Sequence, residues 1–218
     1  MSVGVREFEK KRIKREIKRG GAVIFKYDVE FPYVTDDAAA SEKYRSWART
    51  VEKAVLAEGL HSAGRQYAAL FRSGHFAPLS AEASCQVMYN LNGIMSAFDD
   101  IYIDRRNEGT RLHRASLTVD AGSRQMRLES LFAPGARWRE LLLGEICGQI
   151  ERERAGGALY FFDAEKRAER LVGAAGFYLA DDGLVLYFQP EQIAGVSVGI
   201  PSFMVRYEKL VSVLRLKL

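Results

Sequence analysis

The chain has 218 residues, 48% of them apolar and 28% charged, which suits a soluble globular protein and excludes collagen-like, disulfide-scaffold and wholly disordered classes. Its net charge of +4 is unevenly spread: residues 1–20 hold eight Lys and Arg against three Glu, and the other 198 residues sum to −1. A globular part so close to neutral excludes a broad anion-binding face, which makes nucleic acid a poor partner for it.

In chain order, residues 5–19 read as a short charged helix or a solvated arm, ended by Gly20-Gly21. Ala22 to Tyr33 alternates Val23, Phe25, Tyr27, Val29 and Phe31 with Ile24, Lys26, Asp28 and Glu30, the period of a strand. Thr35-Asp36-Asp37 offers side-chain oxygens to cap a helix. That helix carries Tyr44, Trp47, Val51 and Val55 at helical spacing, with Gly59 as its expected stop and a second helical stretch over Ala63 to Phe71. The middle reads as antiparallel sheet: Cys85 to Asn90, a hairpin turn at Asn92-Gly93, Ile94 to Asp104, then Leu112 to Val119. Ala136 to Arg154 is the clearest helix, with a stripe of Trp138, Leu141, Leu142, Glu145, Ile146 and Gln149. A helix over Asp163 to Leu171 follows. A second hairpin then turns at Asp182-Gly183, where positive φ at Gly183 is expected, and Ser202 to Arg206 is the last strand before a short apolar tail.

The basic stretch is followed by Gly20 to Phe25 and then Lys26, too short an apolar run for a signal peptide, and no segment approaches the roughly 20 apolar residues of a membrane span. The expectation is a cytoplasmic protein. Cys85 and Cys147 have no metal-knuckle spacing and read as small buried residues.

Candidate chemistry is sparse. Asp100 and Asp104 share one face of a strand and Asp99 takes the other, so the first two, with His113, are the best acid–base candidates for a hydrolase. His61, His75 and His113 form no H-E-x-x-H arrangement, and no metal site or cofactor is expected. Gly195-Val196-Ser197-Val198-Gly199 spells a nucleophile elbow but precedes Pro201, outside the strand-turn-helix context that gives the motif its meaning. Residues 6–19 are the candidate for peripheral contact with nucleic acid or membrane, against a plain solvated terminus.

The run Phe177 to Phe188 with Asp181-Asp182-Gly183 at its centre, then Gln189-Pro190-Glu191, Gly199-Ile200-Pro201 and Tyr207, resembles the DUF 3298 (RsiV-like C-terminal) family. Asp120 to Phe132, with Leu128, Leu131 and Phe132, resembles that family's junction, and Tyr27 to Tyr33 and Tyr89 to Ser96 resemble the companion DUF 4163 module. Relatives with both modules include the outer domain of a lysozyme-sensing anti-sigma factor and accessory regions of peptidoglycan deacetylases. The resemblance therefore implies a non-catalytic recognition module for a partner or cell-envelope-type ligand. Where the family often carries a G-G-A-H stretch, this chain has Asp104 to His113 with only Gly109 and His113.

The fold expected is α+β: antiparallel sheet with helices packed on one face, in two fused modules. A basic arm spans 1–21, a DUF 4163-like module 22–119 and a DUF 3298-like module 120–218. Arg105, Arg106, Asn107, Arg111 and His113 are the candidate binding residues, followed by Arg114, and their charge points to an unknown protein or an anionic polymer as partner and away from basic, animal-type lysozyme.

Overall fold

The computed structural model describes residues 4–215. The fold is α+β. A five-stranded sheet has the order β1-β2-β3-β4-β5, and a three-stranded antiparallel sheet the order β6-β7-β8. Two compact units interleave along the chain: one holds residues 6–86 and 99–115, the other residues 4–5, 87–98 and 116–215.

In the first unit, β1 (Phe8–Arg19) runs antiparallel to β2 (Ala22–Val34) around Gly20-Gly21, both with positive φ. Residues 8–19 are thus neither helix nor solvated arm. Read as a strand, Ile13 and Ile17 lie on the face of their partners Val29 and Phe25 and pack on the core. Lys10, Arg12, Lys14 and Glu16 take the other face, where Glu30, Asp28 and Lys26 await them. A helical reading could not show that match, because the partners are on another strand.

Helix α1 (Ala38–Leu70) starts where Asp37 accepts a hydrogen bond from the Ala40 amide at 2.9 Å. It does not stop at Gly59. The residue belongs to the buried stripe Tyr44, Ala48, Val51, Val55, Gly59 and Ala63, and a Cβ there would lie 2.2 Å from the Phe25 ring. Gly59 is a close-approach glycine, so the helix keeps its hydrogen bonds and gains a ring against its backbone. The chain then returns as β3 (Leu79–Leu91), parallel to β2, with Tyr27 beside Ala81 and Asp28 beside Glu82. This pairing is parallel where that of β1 with β2 is antiparallel, and it follows from the long crossover. β4 (Ile94–Asp104) follows the Asn92-Gly93 turn, whose φ of 53° and 71° are the two left-handed positions expected of it. β5 (Thr110–Val119) completes the sheet.

In the second unit, helix α2 (Trp138–Ala155) buries Trp138, Leu142, Ile146 and Ile150, four residues apart. Its polar stripe members find partners: Glu145 meets Lys209 at 2.7 Å, and Gln149 donates to the Met204 carbonyl at 3.0 Å. Helix α3 (Ala164–Leu171), strands β6 (Gly176–Ala180), β7 (Gly183–Tyr187) and β8 (Ser202–Arg206), and the short α4 (Tyr207–Leu210) enclose one core with Leu179, Leu184, Leu186, Phe203 and Val205. Within it, buried Ser96 bonds Thr118 at 2.7 Å and accepts the Leu179 amide at 2.9 Å. The Gly195–Gly199 stretch forms one 3₁₀ turn over Val196–Val198 in a loop. Cys85 is buried and Cys147 half-buried, both as free thiols.

The hairpin at Asp181-Asp182 needs no left-handed residue: Gly183 has ordinary strand φ and pairs with Arg206. Its lack of a side chain serves a different end, because a Cβ there would lie 2.5 Å from the Val205 carbonyl oxygen of β8. Gly183→Ala is therefore expected to destabilise by about 1–3 kcal/mol through forced separation of β7 from β8, read as a lower denaturant midpoint. Removing residues 1–19 is likewise expected to lower the melting temperature. It strips β2 of its antiparallel partner and Glu30 and Asp28 of their cations, and an unchanged melting curve would show that β1 contributes nothing.

Candidate functional site

The sheet of the first unit has two unlike faces. Strand alternation turns Phe25, Tyr27, Val29, Leu79, Ala81, Ile101 and Ile103 towards the core that α1 covers. It leaves Lys26, Asp28, Ser80, Glu82, Asp100, Tyr102 and Asp104 on the other face.

The stretch holding the candidate binding residues read from sequence lies beside α1. Arg111 and His113 both reach Glu58 at 3.2 Å, and Arg105 approaches it at 3.9 Å. Glu108 accepts from Ser62 at 3.0 Å and pairs with Arg65 at 2.7 Å, and the Ser62 hydrogen bond leads the influences that lower its pKa. Arg106, at φ 53°, donates its backbone N–H to the Asp104 carboxylate at 2.8 Å. Asn107 is exposed. The structure thus gathers Arg105, Arg111 and His113 around one helical glutamate, while Arg106 and Asn107 stand apart. Glu58, Asp104 and Glu108 offset most of the positive charge that the sequence places there.

The acid–base candidates do not converge. Asp100 is held by both Nε and Nη2 of Arg114, at 2.7 and 2.8 Å. Asp104 caps the turn, and His113 sits on Glu58. Among the described residues no three His, Cys, Asp or Glu side chains group as metal ligands, and no helix is long and apolar enough to cross a membrane.

Sequence reasoning missed a groove of about 610 Å³ on the open face. Lys14, Glu16, Lys26, Asp28, Ser80, Glu82, Tyr102, Asp104 and Thr110 line it, drawn from all five strands. Its charges are largely paired: Lys14 with Asp28 at 2.9 Å and Lys26 with Glu16 at 2.8 Å. The hydrogen bond from Lys26 is what lowers the Glu16 pKa. Just above, burial pushes the Glu30 pKa up, but hydrogen bonds from Lys10 and Arg12 outweigh it and hold the carboxyl below its usual range. Tyr102, 47% exposed, stands on this polar face. The signal for it was present: an aromatic in register with Asp100 and Asp104 in the alternation of β4.

On the covered face Asp99 is an anomaly. It is fully buried, with the Cys85 thiol beside it as a weak donor and, among the described residues, no N–H or O–H donor on either carboxylate oxygen. Burial pushes its pKa up to about 7, with Glu30 and Asp100 adding to the shift against the Cys85 thiol and Lys10. Burial likewise raises the Cys85 thiol.

Residues 129–208 match the family described as protein of unknown function (DUF3298). Two solved structures of that family are similar over nearly the whole chain. One, from Bacteroides fragilis, has a TM-score of 0.66 at 13% identity and covers 98% of this chain and 95% of its own. The other, from Pseudomonas aeruginosa, has a TM-score of 0.60 at 13% identity and covers 96% and 95%. At such identity the likeness is one of fold. No curated protein matches the chain.

An acid whose folded pKa lies above its unfolded value of about 3.9 holds its proton longer when folded. Its contribution to stability is full below pH 4, declines as pH rises, and is lost once pH passes about 7. The loss is up to about 4 kcal/mol. Asp99→Asn is expected to flatten the stability profile between about pH 4 and 7 and to raise the melting temperature at pH 8. A parallel profile for the variant would place the titration elsewhere.

Proposed function

We propose that the chain is a non-catalytic recognition module, for a partner or cell-envelope-type ligand, whose ligand site is the groove on the open sheet face. The observation that carries this reading is the state of the groove's side chains. The basic ones are each paired, Lys14 with Asp28, Lys26 with Glu16 and Arg15 with Glu52, yet Ser80, Glu82, Tyr102 and Thr110 make no side-chain hydrogen bond or ion pair among the described residues. A concave face with paired charges around a few uncommitted polar groups that can orient a ligand has the layout of a binding site. General acid–base work asks for titrating groups that meet at one reacting atom, whereas Asp100, Asp104 and His113 each serve a separate partner.

The anionic partner read from the turn finds less support, since such a ligand would compete with Glu58 and Glu108 for Arg105, Arg111 and Arg65. Recognition of a protein has an observation of its own in the second unit. Leu159 and Phe162 are exposed, and so is Val196, on two segments joined by the Tyr160–Ala194 bridge. Large apolar side chains left in water at one place favour a protein contact.

Assay of the full chain against esterase, glycosidase and phosphatase substrates is expected to give no turnover. Turnover abolished by Asp100→Asn or Asp104→Asn would overturn the non-catalytic reading. For the site itself, amide shifts on titrating ligand libraries should concentrate on residues 80–82, 102–104 and 110.

A further inference from the structure

Resting on the groove as the ligand site, we infer that it takes a small organic cation, an ammonium or guanidinium group seated on the Tyr102 ring and held by Glu82 and Asp104. Tyr102 presents a large exposed ring near the C-terminal end of β4, with its hydroxyl unbonded among the described residues. Glu82, on β3, is the groove's one carboxylate without an ion pair among the described residues. Asp104, two residues along from Tyr102, accepts from the Arg106 amide with one oxygen and lies 3.4 Å from the Arg106 Nε with the other.

An aromatic face attracts a cation through its quadrupole, and a neighbouring carboxylate adds a charge-assisted hydrogen bond to each N–H it meets. Ser80 and Thr110 add hydroxyl acceptors. An anion would meet Glu16, Asp28, Glu82 and Asp104 together, with Lys14, Lys26 and Arg15 already paired to Asp28, Glu16 and Glu52. A neutral ligand would leave the Glu82 charge unanswered under a covering molecule. The volume of about 610 Å³ lies within the span of small-ligand sites.

Calorimetric titration of the full chain with spermidine, at low and moderate salt, tests this. Binding is expected, weakening as salt rises. Glu82→Gln should lower affinity about tenfold. Tyr102→Ala should lower it about fivefold, while Tyr102→Phe retains it. Glu42→Gln, at the exposed start of α1, should change nothing. Circular dichroism and melting curves confirm that each variant is folded, and Tyr102→Phe keeps the test valid if the alanine variant is not. Affinity indifferent to Glu82→Gln and Tyr102→Ala would overturn the proposal, because spermidine would then be held by diffuse surface charge. If spermidine leaves the groove amides unmoved while a neutral chitooligosaccharide shifts them, the cation is wrong and the groove stands. If both ligands bind and shift only amides elsewhere, the groove itself is not the site.

Discussion

Much of the first unit follows from one close approach, the Phe25 ring lying against the backbone of Gly59. With no Cβ between them, α1 settles on β2 at a spacing that a larger residue would not permit. The depth of that contact brings Glu52 within reach of the Tyr27 hydroxyl and of Arg15, and sets Glu58 above Arg105, Arg111 and His113. The burial there raises the Tyr27 hydroxyl to about 12, helped by its hydrogen bond to Glu52, so it stays protonated and donates. A helix committed so closely to one face leaves the other to solvent, and on that face the groove forms.

The electrostatics follow from the same asymmetry. The +5 segment at the N-terminus looks like an outward-facing charge when read along the chain. Folded as β1, it spends most of that charge on the acids of β2 and α1: Lys10 and Arg12 on Glu30, Arg12 and Lys14 on Asp28, Arg15 on Glu52. Pairs whose cations stay half-exposed in this way contribute little stability individually. Their larger effect is on the edge strand, whose charged side chains discourage pairing with another chain.

What the sequence disclosed depended on how local the determining physics was. The Asn92-Gly93 turn, the Asp37 cap, the α2 stripe and strand β4 are set by neighbours within a few residues, and the structure has them where the pattern puts them. Residues 8–19 went the other way, since their strand character comes from β2 and their own composition is that of a charged helix. Gly59 and Gly183 were read as punctuation, yet both are small because a ring or a carbonyl from another element presses on them. The groove was the least legible. Its residues alternate with core residues on five strands, so no contiguous motif carries it, and Tyr102 alone left a mark.

The parallel pairing of β2 with β3 has a consequence for how the chain acquires its structure. β1 and β2 meet across a two-glycine turn, and β3 and β4 across Asn92-Gly93, so each hairpin can close quickly from local contacts. Joining the two requires the 33-residue α1 and its flanks to be traversed before Phe25 can sit beside Leu79. That closure loses chain entropy before the seam repays it. The seam between β2 and β3 is therefore where folding is slow. Until α1 docks there, β2 and β3 each expose a hydrogen-bonding edge, the interval in which association between copies competes with folding.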